Sequence, residues 1–197
     1  MDEGTNDMRL TKLLAVLLAG FALSGCVLSL HPLYTEQDLI FDPALIGEWV
    51  DIKAQETWTL SKSAEKEYKL VYVDKNGEKG EFDTHLLKVG DRQFLDLFPA
   101  GDSYSSKNNF YRMHLLPIHT FMQIRKIDSS LQMAILKLDW LDNLLKENPG
   151  AVRHEKPEES IILLTDQPKD LQAFLAKYAK TADAWTEWTT MQKADKP

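Results

Sequence analysis

Residues 68–87 read Tyr-Lys-Leu-Val-Tyr-Val-Asp-Lys-Asn-Gly-Glu-Lys-Gly-Glu-Phe-Asp-Thr-His-Leu-Leu, and this stretch decides the fold. Tyr68, Leu70 and Tyr72 alternate with Lys69, Val71 and Val73, while Phe82, Thr84 and Leu86 oppose Asp83, His85 and Leu87. That period of two is the side-chain repeat of a β-strand. Asn76-Gly77 lies between the runs, and both residue types tolerate the positive φ of a tight hairpin loop. The stretch therefore predicts two antiparallel strands, 68–74 and 81–89.

Working outward, 47–52, 57–61, 93–98, 110–115, 120–127 and 131–138 read the same way, with Gly90-Asp91 and Ser129-Ser130 as further turn signals. Connections this short join antiparallel neighbours. Laid flat, the eight strands would expose two edges, and closing the sheet removes both. The expected fold is mainly β, an antiparallel meander barrel with two or three short helices toward the C-terminus. Trp140, Leu141, Leu144 and Leu145 recur at helical spacing over 139–147, before Asn148-Pro149-Gly150. An apolar strand follows at 160–164. Leu171, Phe174, Leu175 and Tyr178 then share a face of a helix over 165–180, with Thr165-Asp166-Gln167-Pro168 as its cap. A third helix over 182–192 would hold Trp185, Trp188 and Met191 on one side, docked on the barrel or turned to a membrane interface.

The 197 residues are 44% hydrophobic and 27% charged, a globular mixture that excludes collagenous, coiled-coil and wholly disordered classes. Thirty acidic residues against 23 basic ones leave a net charge of −7, which argues against nucleic acid as a partner.

At the N-terminus Arg9 and Lys12 precede an apolar run from Leu13 to Leu23 that ends in Leu23-Ser24-Gly25-Cys26. The run is about half the roughly 20 residues a membrane-spanning helix needs, so it reads as a cleaved secretory leader, residues 1–25. Asp2, Glu3 and Asp7 stand where such leaders carry positive charge, which makes Met8 an alternative start to Met1. Residues 26–44, with His31-Pro32-Leu33-Tyr34 and Asp42-Pro43, show neither periodicity and read as a short tether. Residues 45–192 read as one barrel domain and 193–197 as a flexible tail.

Leu23-Ser24-Gly25-Cys26 resembles the lipobox of bacterial lipoproteins. The resemblance implies that Leu23, Ser24 and Gly25 are read by the signal peptidase. It also implies that Cys26 carries diacylglycerol and becomes the acylated first residue of a membrane-anchored protein. Val27 in place of aspartate after the cysteine favours the outer membrane, facing the periplasm. Cys26 is the sole cysteine, so no disulfide can form within the domain.

Gly47-Glu48-Trp49 resembles the start motif of the lipocalins. The resemblance implies that Gly47 turns the chain into the barrel, that Trp49 plugs its closed end and that the late helix packs on the wall. The family's threonine-aspartate-tyrosine motif and the arginine covering its tryptophan have no clear counterpart here.

A barrel of about eight strands encloses either packed side chains or one small ligand. Phe82, Leu86, Phe94, Asp96 and Phe98 are the candidate interior residues, giving an apolar lining with one polar group. Function then divides between a non-enzymatic module that binds a small apolar ligand and a structural or protein-interaction lipoprotein of the envelope with a filled barrel. No nucleophile elbow, zinc-protease motif or phosphate-cradling loop occurs, and no cofactor is expected. His114 and His119, with His85 and Asp96 or Asp102, have zinc-ligand chemistry, but five-residue spacing across Pro117 gives no shared strand face, so no metal is expected.

Overall fold

The hairpin that opens the argument forms in the computed structural model, which describes residues 26–101 and 115–194. Asp74 Oδ1 accepts the amides of Asn76 and Glu78, and Gly77 takes a φ of 82° that a side chain would resist. The flanking strands are β5 (Tyr68–Val73) and β6 (Lys79–Val89), paired antiparallel from Tyr68↔Thr84 to Val73↔Lys79.

Before them come β1 (Cys26–Ser29), β2 (Leu39–Ile40), β3 (Gly47–Asp51) and β4 (Glu56–Lys62); after them β7 (Arg92–Pro99), β8 (Thr120–Ile127) and β9 (Ser130–Ala134). Strands β3 to β9 run as a meander, each antiparallel to the next. Then follow α1 (Leu138–Glu147), β10 (His154–Glu158), β11 (Ile161–Leu164), α2 (Pro168–Tyr178) and β12 (Thr189–Lys193). Strand β12 closes the ring, pairing with β9 at Met191↔Leu131 and with β3 at Gln192↔Val50. The result is a closed eight-stranded antiparallel barrel with two peripheral α-helices.

The eighth strand is thus not the one the meander predicts. Residues 110–114 of the predicted sixth strand lie outside the described residues. The segment expected as a third helix, 182–192, is instead a 3-10 turn (Ala182–Ala184) followed by β12. Helical spacing of Trp185, Trp188 and Met191 loses to the two open ladders of β3 and β9, whose amides and carbonyls need a partner. Met191 enters the barrel, whereas Trp185 packs outside it. Lys193, placed in the tail, is the last residue of β12 and donates from Nζ to the Ala44 carbonyl at 2.8 Å.

The stretch read as a tether, 26–44, is built into the domain. Strand β1 pairs parallel with β11, which pairs antiparallel with β10 in a separate three-stranded sheet. Strand β2 extends the edge of β6, and Leu33 is fully buried. Apolar contact supplies the reason, since Val27, Leu33, Tyr34 and Leu39 all join one cluster. Helix α2 begins at Pro168 rather than at Thr165, with that proline in its first turn, and Asp166 accepts the Arg153 amide rather than capping the helix.

Each face of the wall has its own core. Inside the barrel lie Leu45, Trp49, Leu60, Tyr68, Leu70, Leu86, Leu95, Leu97, Met122, Ile124, Leu131, Met133 and Met191, drawn from all eight strands and the turn before β3. Outside, Leu87, Phe94, Phe121 and Ala134 meet α1, α2, β11 and the N-terminal segment. Trp49 sits at the end where a 3-10 turn (Pro43–Leu45) crosses the barrel mouth; its Nε1 donates to the Leu45 carbonyl at 2.9 Å. The Lys193 ammonium lies 4.9 Å from its ring centre, a cation over an aromatic face. Gly47 has φ 137°, and a Cβ there would come within 2.9 Å of the Lys193 side chain, so the motif glycine makes room for that cover.

Candidate functional site

Of the five residues expected inside the barrel, the wall sorts two inward and three outward. Leu86 and Phe82 belong with the interior cluster. Register pairs Leu86 with Leu95 and Leu87 with Phe94, so Phe94, Asp96 and Phe98 share the opposite, outer face of β7. The reason is that 93–98 is apolar on both faces because both are covered. Phe94 packs on Trp185, with ring centres 5.9 Å apart.

That outer face carries the most concentrated buried polar chemistry of the described residues. Asp96, wholly buried, stands between His85 on β6 and Phe121 on β8. Its Oδ2 accepts the Leu33 amide at 2.8 Å and its Oδ1 lies 2.6 Å from His119 Nδ1. The His119 backbone in turn exchanges two hydrogen bonds with Ser29, at 2.9 and 2.8 Å. Phe98 covers the His119 ring at 4.5 Å, and Tyr34 covers the His85 ring at 4.4 Å. One carboxylate thus fixes the N-terminal segment on one side and a histidine on the other.

Electrostatics follow from burial. Burial, then the charges of Asp96, Glu36, Glu67 and Asp83, pushes the Tyr34 hydroxyl up to about 12, so it remains protonated. Burial lowers His85 below the usual histidine value against the opposing pull of Glu67, Asp96, Asp83 and Glu36. Its Nδ1 is buried and has no partner among the described residues. Farther along the segment, Asp38 accepts from Thr35, Lys169 and Gln172, and Gln172 also donates to the Leu33 carbonyl. Burial alone would raise Asp38, yet these hydrogen bonds hold it well below the usual carboxylate range.

A carboxylate on Nδ1 orients a histidine as a hydrolase orients its base. Among the described residues, however, no hydroxyl or thiol is bonded to His119 Nε2, and the nearby Ser29 Oγ donates to the His31 carbonyl. The bonds of Asp96 and His119 clamp the N-terminal segment to the barrel wall. Of the residues with zinc-ligand chemistry, His114 and Asp102 lie outside the described residues, and among the described residues no cluster of three or more metal-ligating side chains forms. Leu23, Ser24 and Gly25 also lie outside them; the Cys26 backbone starts β1 opposite Ile161.

Sequence reading flagged Asp96, His85 and His119 but not Ser29, Tyr34, Asp38 or Gln172, which complete the clamp. The readable signal was Phe94-Leu95-Asp96-Leu97-Phe98, a charge within a strand that has no solvent face. A groove of about 500 Å³ lies elsewhere, outside the barrel, between Gly150, Arg153, Asp166, Phe174 and Lys177. No helix among the described residues is long and apolar enough to cross a membrane. Comparisons of the chain with protein-family models, with curated proteins and with solved structures give no match.

Proposed function

We propose that this chain is a lipid-anchored lipoprotein of the bacterial envelope, held to the outer membrane through Cys26 and facing the periplasm. Its barrel serves as a rigid, non-enzymatic platform for interaction with other envelope components. The observation that carries the platform reading is the interior itself: thirteen buried apolar side chains, including Trp49 and Tyr68, come from every strand and occupy the space a ligand would need. The lipobox carries the anchor.

The carrier reading keeps one observation in its favour. Thr84 Oγ1 is buried inside the barrel with no hydrogen-bond partner, and a bound molecule could supply one. Native mass spectrometry of the protein purified in detergent from its own membranes separates these readings. A mature chain beginning at Cys26, with covalent acyl mass and nothing more, is the expected result. Additional non-covalent lipid mass would favour the carrier, and an unmodified Cys26 would remove the anchor.

A further inference from the structure

The three-stranded sheet of β1, β11 and β10 turns one face to the outer core and the other away from it. Ser29, Ile162 and Leu164 are fully buried and Val27 packs on that core. Alternation along the strands therefore puts Leu28, Ile161 and Leu163 on the other face. Register sets Leu28 beside Leu163 across the parallel β1–β11 ladder. These three aliphatic side chains are only half-buried, and among the described residues none of them belongs to either core. Cys26 pairs with Ile161 and stands two positions before Leu28, so its register position falls on the same face.

We propose that this face of the sheet is a membrane-resting surface, lying against the phospholipid bilayer that holds the acylated Cys26. The proposal rests on the anchor reading above and extends it to the pose of the domain. What commits the face to lipid is Cys26 itself: the residue that would carry the acyl chains opens β1 on this face, with no free tether between anchor and domain. Paired strands lie about 4.8 Å apart and rise about 3.3 Å per residue, so Leu28, Ile161 and Leu163 all stand within about 10 Å of Cys26. An acylated residue stays at the headgroup layer, and aliphatic side chains this close to it gain from entering the acyl boundary. Glu155, paired with Leu163, and Glu158, paired with Ile161, are exposed along β10 and give the surface a polar border. The barrel rim lies elsewhere: the Ser29↔His119 bridge is antiparallel, so Cys26 and Leu116 leave it in opposite directions.

The test uses the full acylated protein in vesicles of phosphatidylethanolamine and phosphatidylglycerol that include a lipid with a nitroxide high on its acyl chain. Because the thioether blocks Cys26, the substitutions Leu28→Cys, Ile161→Cys and Leu163→Cys each create a unique thiol for a fluorescent dye. Leu116→Cys, before β8, and Lys75→Cys, in the turn between β5 and β6, are exposed controls at the barrel rim. The expected result is nitroxide quenching several-fold stronger at the three sheet positions than at the two rim positions. Equal quenching at all five, or stronger quenching at the rim, on a protein whose intact mass shows acylation overturns the pose and leaves the anchor standing. Absence of acyl mass overturns both. Sheet dyes that brighten in detergent, without vesicles, as protein concentration rises would overturn the proposal in favour of contact between copies.

Discussion

The two cores share one wall and solve opposite problems. Among the described residues, the side chains buried inside the barrel are apolar except for the Tyr68 hydroxyl, which bonds the Asp42 backbone, and the unpaired Thr84, and a cation-covered tryptophan seals the end. Outside, the wall packs against helices and a segment from the far N-terminus, and it buries Asp96, His119, Ser29 and Gln123 among its apolar residues. The inner core is organised by periodicity, because every strand contributes alternate residues. The outer core is assembled from pieces distant in sequence, and its polar groups fix how those pieces dock. Buried hydrogen-bonded groups specify one arrangement at little net gain in stability, whereas apolar burial supplies the stability itself.

That contrast can be broken most forcefully at Trp49. Replacing it by alanine should cost about 3–5 kcal/mol, the range for truncating a large buried aromatic. Urea denaturation should show the whole loss as a shift of a single cooperative transition. Loss of much less than that would mean that the closed end is not sealed by packing.

At the clamp the expected effect is comparable in size but local. Asp96→Ala strands the Leu33 amide and the His119 imidazole, and hydrogen bonds to a charged acceptor are worth about 1.5–3 kcal/mol each. Hydrogen exchange should quicken mainly in residues 29–40, with the strands around Trp49 little changed. Uniform quickening through both cores would show that the clamp and the barrel are one cooperative unit.

Legibility divides along the same line. Tyr68-Lys69-Leu70 and Phe82-Asp83-Thr84 announce their strands and their faces through local alternation, and Gly47-Glu48-Trp49 marks the sealed end. Phe94, Asp96 and Phe98 were placed on the wrong side because a strand apolar on both faces does not say which face is inside. His31-Pro32-Leu33-Tyr34 gave no sign of packing, since its partners Asp96, Gln172 and Leu87 lie 50 or more residues away. The β12 segment read as helix because its neighbours, β3 and β9, are unknown to any local window.

Acid should discriminate the two regions more gently. His85 titrates below the usual histidine value of 6.5, so the unfolded chain takes up its proton first as pH falls. Its contribution is present above about 6.5 and is lost toward the lower folded value. Asp38 behaves similarly in a lower window: its folded value is depressed, so stability present above about 4 is lost as pH drops further. Thermal melts at stepped pH should therefore fall in two stages for wild type. His85→Leu should flatten the first stage and Asp38→Asn the second, while Trp49→Ala lowers the curve at every pH without altering its shape.

The smallest expected effect tests whether the inner core is as dry as its composition implies. Thr84 faces Tyr68 across β5 and Leu97 across β7, and its hydroxyl finds no partner there. An unsatisfied buried hydroxyl is destabilising relative to a methyl group of the same shape, so Thr84→Val should leave stability unchanged or raise it by up to about 1 kcal/mol. The same substitution in a ligand-holding barrel would behave differently. If the hydroxyl bonds a trapped water or a small molecule, valine would strand that partner, and stability or bound mass would drop. A destabilised Thr84→Val protein would therefore move the barrel from filled platform to carrier, and it would erase the chemical contrast between the two cores at its one ambiguous residue.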